Sequence, residues 1–397
     1  MKANHPMRVA HVITRMIIGG AQENTLYNCL DLVQEFGDDV LLITGPSEGP
    51  EGNLLQQAHA QGVPVQTLPN LVRNIHPVTD CRGYQEVKAA IKKFQPEVVH
   101  THSAKGGMLG RRAATALKVP AIIHTVHGAP FHPYQSTLAR KFFIACERYA
   151  SSQCHQLVSV ADAMTDLLVE AKVAPREKFV TVYSGMEVEP FLESRGLREP
   201  TRQQLGIQPG DVVIGKIARL FHLKGHEYVI QAAKEVVAKC PQAKFLFVGD
   251  GILREKFEGM IAEAGLTDHF ILVGLVPPSD IPKYISAMDV LVHTSLREGL
   301  ARALPQALLS GKPAVSFDID GAREVVSTME TGFLLPPGDT AQLTSALIQL
   351  CDDPELREKL GEEGRQRCSQ VFPHQVMTRR LREIYQEVLR RNGCEVV

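Results

Sequence analysis

The chain lacks most of the features that would assign it to a specialised class. No apolar run reaches the ~20 residues needed to cross a bilayer, and residues 1–7 are polar, without the apolar core of a secretory signal. There is no basic excess. The formal net charge is -1, which argues against a nucleic-acid partner. The eight cysteines are scattered with no C-x-x-C pair, the pattern of reduced thiols in a cytoplasmic protein rather than of a disulfide framework. No short internal repeat or low-complexity segment is present. Gly19-Gly20 after the first apolar run is not G-x-G-x-x-G, and Leu41-Leu-Ile-Thr44 runs into Gly45-Pro46 with no acidic residue at its end. Both absences count against a classical dinucleotide-binding fold.

What is present is the composition of an ordinary globular protein, 44% hydrophobic and 22% charged over 397 residues, a length that favours two domains. A mildly basic stretch (Arg111, Arg112, Lys118, then Arg140, Lys141, Arg148) reads either as solvated helix faces or as a surface for an anionic acceptor or membrane headgroups.

Short apolar segments alternate with helical patterns. Strands are predicted at Arg8 to Thr14, Val40 to Thr44, Val63 to Leu68, Val98 to Thr101, Ala121 to Thr125, Leu157 to Val160 and Phe179 to Tyr183. Glu187 to Arg202 has no period and reads as a linker. The alternation restarts at Val212 to Ile217, Phe245 to Gly249, Phe270 to Gly274, Val290 to His293 and Ala314 to Phe317. This is an α/β chain of two tandem Rossmann-like domains, each a parallel sheet covered on both faces. The expected boundaries are residues 1–187, a linker 188–202, 203–371, and an amphipathic helix in 372–397. Ligands bind beyond the carboxyl ends of such sheets, so two facing domains imply a central cleft.

Three clusters carry chemistry. Val290-Leu-Val-His293 leads through Glu298-Gly299-Leu300 into a helix expected to open there and run to about Ser310, with Pro305 near its first turn and Gly311 and Pro313 ending it. A glycine turn into a helix suits a diphosphate, and Glu298 can accept hydrogen bonds from a polyol or merely cap the helix. Arg219 and Lys224-Gly225 leave another strand end, where cations can neutralise a diphosphate leaving group or simply be solvated. His100-Thr-His102 and His124-Thr-Val-His127-Gly128 end two strands. They read as polar cleft residues or ordinary strand-end histidines rather than zinc ligands, since the pairs are separate and no Cys or carboxylate stands close by in sequence. Asp318-Ile-Asp320 spells the D-x-D of metal-dependent sugar transferases but reads here as a loop.

Together these residues resemble glycosyltransferase family 4, the retaining nucleotide-sugar enzymes of GT-B double-Rossmann fold. The resemblance covers essentially the whole chain. It is most specific in Glu298-Gly-Leu-Ala-Arg-Ala-Leu-Pro-Gln306-Ala-Leu-Leu-Ser-Gly311-Lys-Pro313, similar to the family's E-x7-E segment. Arg219 with Lys224-Gly225, Val248-Gly-Asp-Gly251, Gly274-Leu-Val-Pro277, Gly19-Gly20, the His100/His102 pair, His127-Gly128 and Ser184-Gly185-Met-Glu187 match further landmarks.

The resemblance implies transfer of a sugar from a nucleotide diphosphate sugar, UDP being the commonest carrier, to an acceptor hydroxyl with retention at the anomeric carbon. The acceptor would be a sugar, glycolipid or polysaccharide. It implies that Arg219, Lys224, Gly19, Gly20 and the amides around Gly299 and Leu300 meet the diphosphate. His127 and Glu298 would meet the transferred sugar as the catalytic pair. Gln306, Val276 and Gly249 would serve the ribose and base, and His100, His102 and Lys105 the acceptor region. No metal or other cofactor is expected, and the C-terminal helix should cross back onto the first domain. The location implied is cytoplasmic, with peripheral contact at the membrane's inner face left open. Gln306 departs from the family's second glutamate, replacing a charged ribose contact by a neutral amide. That departure keeps a non-catalytic nucleotide-sugar binder among the rivals, beside an epimerase or phosphorylase of similar build.

Overall fold

The computed structural model describes residues 6–47 and 52–394. Most of residues 1–7 and the middle of the Gly/Pro loop after Thr44 lie outside them. Two parallel sheets are present among the described residues. The first holds β1 (Arg8–Ile13), β2 (Asp39–Thr44), β3 (Val65–Thr67), β4 (Val98–His102), β5 (Ala121–Val126), β6 (Gln156–Ser159) and β7 (Phe179–Thr181), ordered β3-β2-β1-β4-β5-β6-β7. The second holds β8 (Val212–Ile217), β9 (Ala243–Val248), β10 (Phe270–Gly274), β11 (Val290–His293), β12 (Ala314–Phe317) and β13 (Gly332–Leu335), ordered β10-β9-β8-β11-β12-β13. β13 escaped the sequence reading, because a four-residue apolar run carries no decisive period.

Each sheet has one topological switch point, at β1/β4 in the first and β8/β11 in the second. All pairings are parallel, so both faces are helix-covered and the central strands are wholly buried, as the apolar runs of β4, β5 and β11 require. Polar side chains on these strands can reach a ligand only at the carboxyl ends.

The chain divides into two compact units, Met1–Met186 with Pro373–Val397, and Glu187–Phe372. In the first unit the helix His374–Arg391 packs on the helix Gly20–Gln34 through Met377, Leu381, Ile384, Tyr385 and Val388. Buried charge locks it there. Arg382 donates to both carboxylate oxygens of Asp38 at 3.0 Å, and Asp31 accepts from the Thr378 hydroxyl at 2.7 Å and faces the His374 ring at 2.8 Å.

The expected linker is a correction. Residues 187–204 fold into helical turns of the second unit (Glu189–Leu192, Ser194–Leu197, Arg198–Gln204). The reason is a long-range charge contact that no local period reveals. Arg198 and Arg202, one turn apart, bind opposite oxygens of Asp289 at 2.6 and 2.7 Å. Among the described residues, no helix is long and apolar enough to cross a membrane.

Asp38 also accepts the Met7 amide at 2.8 Å, so Asp38→Ala removes both the charge partner of a buried arginine and an amide acceptor. We expect a loss of about 3–5 kcal/mol, the cost of an uncompensated buried charge, read by urea unfolding of the full chain. A loss under about 1 kcal/mol would show that the Arg382 pair does not anchor the terminal helix.

Candidate functional site

In the second unit the carboxyl ends of β8 and β11 meet at the switch point, and the chemistry-bearing loops leave from there. β8 continues through Ala218 to Arg219, which is exposed with its guanidinium 5.1 Å from the Phe221 ring. The turn then reaches Lys224-Gly225 with Leu223 and Gly225 at φ 64° and 68°. Gly225 is required on two counts: the left-handed backbone, and an added Cβ that would stand 1.9 Å from the Thr294 carbonyl oxygen. Its closeness to β11 brings the Lys224 ammonium onto the Glu298 carboxylate, to which it donates. His293 Nε2 lies 3.6 Å from the same oxygen. Burial alone would raise the Glu298 pKa, but the His293 and Lys224 contacts outweigh it and hold the carboxyl well below its ordinary value.

The expected helix start is corrected. The helix is Ala303–Leu309, and Glu298, Gly299 and Leu300 precede it in a loop. Pro305 explains the delay. With the helix beginning at Ala303 its missing N–H falls in the first turn, where no donor is needed; a helix from Gly299 would place the ring against the carbonyl of Ala301. The loop is held instead from β12. The Glu298 amide donates to Asp320 Oδ2 at 2.6 Å, and the Gly321 amide to the Gly299 carbonyl at 3.2 Å. Asp318 turns away into a bidentate pair with Arg323 at 2.7 and 2.9 Å. The two aspartates of D-x-D therefore do separate structural work.

Of the other residues named for the nucleotide, Gly249 follows β9 at φ 134° and donates its amide to Gly274 O at 2.9 Å. An added Cβ there would lie 2.3 Å from Ala218 O, so only glycine lets this turn pack beneath Arg219. Val276 is half-buried in the loop after β10, and Gln306 is half-buried on the helix Ala303–Leu309.

Lys216 was missed. It is 1% exposed, next to last in β8, and donates to Thr294 Oγ1 at 3.0 Å, whose hydroxyl donates on to Gly225 O at 2.6 Å. Burial, helped by the Lys224 charge, pushes its pKa down to about 7. A charged residue inside an apolar strand was the signal available in the sequence.

In the first unit Gly20 begins the helix Gly20–Gln34, and the Gly19 carbonyl accepts from Glu23 N at 2.9 Å. The acceptor-region expectation needs correction. His100 and His102 are 0% exposed on β4, too deep to touch an acceptor. His100 bonds Tyr385 at 2.5 Å and Thr125 at 2.7 Å, and His102 bonds His11 at 3.0 Å and His127 at 3.1 Å. Burial lowers the pKa of both, like-charge histidine neighbours adding to the effect. Lys105 is tied to Asp80 at 2.5 Å and to the Asn74 carbonyl. Among these histidines His127 is half-buried rather than enclosed, and burial pushes its pKa down to about 4. The donor nitrogens of His11, His100 and His102 lie within 4.8 Å of one another. Both nitrogens of His100 and of His102 are nonetheless already hydrogen-bonded within the protein.

Residues 19–185 match the family model described as Glycosyl transferase 4-like domain, and residues 198–367 that of Glycosyl transferases group 1. The chain is 28% identical over 360 residues, 90% of its length and 91% of the relative's, to the Escherichia coli UDP-Gal:alpha-D-GlcNAc-diphosphoundecaprenol alpha-1,3-galactosyltransferase. It is 24% identical over 371 residues, 91% of its length and 93% of the relative's, to a capsular polysaccharide biosynthesis glycosyltransferase of Staphylococcus aureus. Among solved structures, Anabaena HepE in complex with UDP superposes with a TM-score of 0.80 at 20% identity, over 96% of this chain and 100% of that one; the likeness is one of fold.

Lys216 gives this site a measurable pH signature. The unfolded chain holds the lysine proton up to about pH 10.4, the folded chain only to about 7, so stability should rise with pH between those values and carry the full burial cost below pH 7. We expect Lys216→Met to stabilise the chain by about 1–4 kcal/mol at pH 6, the gain shrinking as pH rises towards 10. A gain independent of pH would show that no buried charge is involved.

Proposed function

A chain that belongs to glycosyltransferase family 4 is a glycosyltransferase, and we propose that this one moves a sugar from a UDP-sugar to the hydroxyl of a glycolipid acceptor, with retention. The observation that carries the reading is the meeting of Lys224, Glu298 and the Arg219 loop at the β8/β11 switch point, an ionised carboxylate beside cations where sheets of this type take ligands. Glu298 accepts hydrogen bonds from hydroxyls of the transferred sugar. Arg219 and Lys224, with the amides near Gly299 and Leu300, stabilise the charge that develops on the leaving diphosphate. The anomeric C–O bond to the β-phosphate breaks as the acceptor oxygen bonds the same carbon from the same face. The acceptor's proton passes to the departing phosphate oxygen. The cations supply the positive charge this step needs, so the reading calls for no resident metal. The Gln306 amide and the turns at Gly249 and Val276 take the nucleoside. His127 meets the transferred sugar.

Two further observations support the donor and acceptor classes. HepE was crystallised with UDP bound, and the E. coli relative is named for a UDP-Gal donor and a diphosphoundecaprenol-linked acceptor. On this chain the helix Thr137–Ser151 exposes Leu138, Phe142 and Tyr149 along one stripe, at 81, 56 and 52%, with Lys141 and Arg140 also exposed. An exposed apolar stripe among basic residues suits the interface of an anionic membrane, where a lipid-linked acceptor resides.

Glu298→Gln keeps the shape and removes the charge. We expect it to lower transfer from the preferred UDP-sugar roughly hundredfold in kcat/KM while circular dichroism stays unchanged; full activity would sink the assignment. Separately, the double variant Leu138→Asp with Phe142→Asp should abolish sedimentation with phosphatidylglycerol vesicles. Equal sedimentation of wild type and variant would remove the membrane surface from the reading.

A further inference from the structure

A line of three histidines runs through the first unit from the core to its surface. His127 Nε2 lies 3.1 Å from His102 Nδ1, and His102 Nε2 lies 3.0 Å from His11 Nδ1. The line ends in the core, because His11 Nε2 is buried with no hydrogen-bond partner. His11 and His102 are 0% exposed, and desolvation pushes the pKa of His11 down to about 3 and that of His127 to about 4. All three rings are therefore neutral at pH 7, and each carries one N–H and one lone pair.

Neutrality turns the line into a counting problem. Each N···N contact needs one donor and one acceptor, so the choice made at His11 propagates through both bonds. If the bonds ran inward, from His127 to His102 to His11, the last proton would sit on His11 Nε2, a buried N–H with nothing to accept it. Run outward, the line ends in the core on an unshared lone pair. An orphaned buried donor is the rarer arrangement, and leaving one unmade forfeits the desolvation cost of the N–H. The neighbouring bonds do not disturb the count. Asn28 donates to Tyr385 Oη at 3.1 Å, so the Tyr385 hydroxyl donates to His100 Nδ1, and His100 Nε2–H is spent on Thr125 Oγ1.

We propose that His11 and His102 are positioning residues whose outward-running hydrogen bonds hold His127 as its Nδ1–H tautomer, so that His127 meets its ligand as a hydrogen-bond donor and not as a base. The ligand atom it fits is a neutral oxygen acceptor, a hydroxyl or ring oxygen of a sugar. The inference rests on the reading that gives His127 the transferred sugar. It makes His102, expected in the acceptor region, and its neighbour His11 act on the reaction through a third histidine. All three rings then share the Nδ1–H form, the less common tautomer of histidine in water.

The test reads tautomers directly. In the full chain labelled with 15N-histidine, long-range 1H–15N spectra at pH 7.5, assigned through His11→Gln, His102→Asn and His127→Gln, should show Nδ1 protonated in His11, His102 and His127. His102→Leu should release His127 to the Nε2–H form. It should also cut kcat at least about tenfold with a smaller change in KM, since a ring in the wrong tautomer presents a lone pair where a donor is needed. His102→Asn puts an amide N–H where Nδ1–H stood, and it should restore both the His127 tautomer and most of the turnover. An Nε2–H form of His127 in the wild type would overturn the proposal. So would a stoichiometric metal ion surviving chelation, because it would occupy the lone pairs the line uses. A flipped tautomer with unchanged turnover in His102→Leu would overturn the catalytic consequence, and with it the sugar reading of His127, while the outward line itself stood.

Discussion

Parallel strands demand cover on both faces, and that single constraint decides where this protein can be polar. β4, β5 and β11 are wholly buried along their length, so any ionisable group on them must be neutralised by a partner or placed at a carboxyl end. The two units answer the demand differently. In the second, charge gathers at the β8/β11 ends and is compensated there: Lys224 against Glu298, and Lys216 tied to Thr294. In the first, β1, β4 and β5 carry histidines instead, which burial can keep neutral at modest cost.

The Glu298 loop shows how an ionised carboxylate is held without a helix beneath it. Pro305 delays the helix, and the gap is filled from β12 by Asp320, whose own φ of 46° is unusual for a non-glycine residue. Backbone shape at Gly225 and side-chain charge at Lys224 then act together, since only a glycine lets the turn approach Thr294 closely enough for the ammonium to reach the carboxylate. A glycosyltransferase needs this kind of preorganised charge more than it needs flexible reach, because stabilisation of a leaving diphosphate depends on dipoles already in place.

Much of this was legible one residue at a time. Apolar runs such as Val212 to Ile217 and Val290 to His293 announce buried strands, and glycine, proline and charge at their ends announce the loops. Arg219, Lys224 and Glu298 are visible because cations and a carboxylate stand out against apolar strands. What local pattern could not show is which charge meets which. Arg198 and Arg202 looked like linker residues because their partner, Asp289, lies some 90 positions further on. His100 and His102 looked like cleft residues because a strand-end histidine reads the same whether the helix above it is present or not.

The sequence by itself determined the alternation of strands and helices, the family, and the residue types able to handle a diphosphate. Those depend on short-range periodicity and on side-chain chemistry, which travel with the chain. Only the tertiary structure decided that the returning last helix seats Tyr385 on His100, that Lys216 is buried beneath the Glu298 loop, and that His11, His102 and His127 stand in line. Burial, tautomer and pKa are properties of surroundings assembled from distant segments, and no window along the chain contains them.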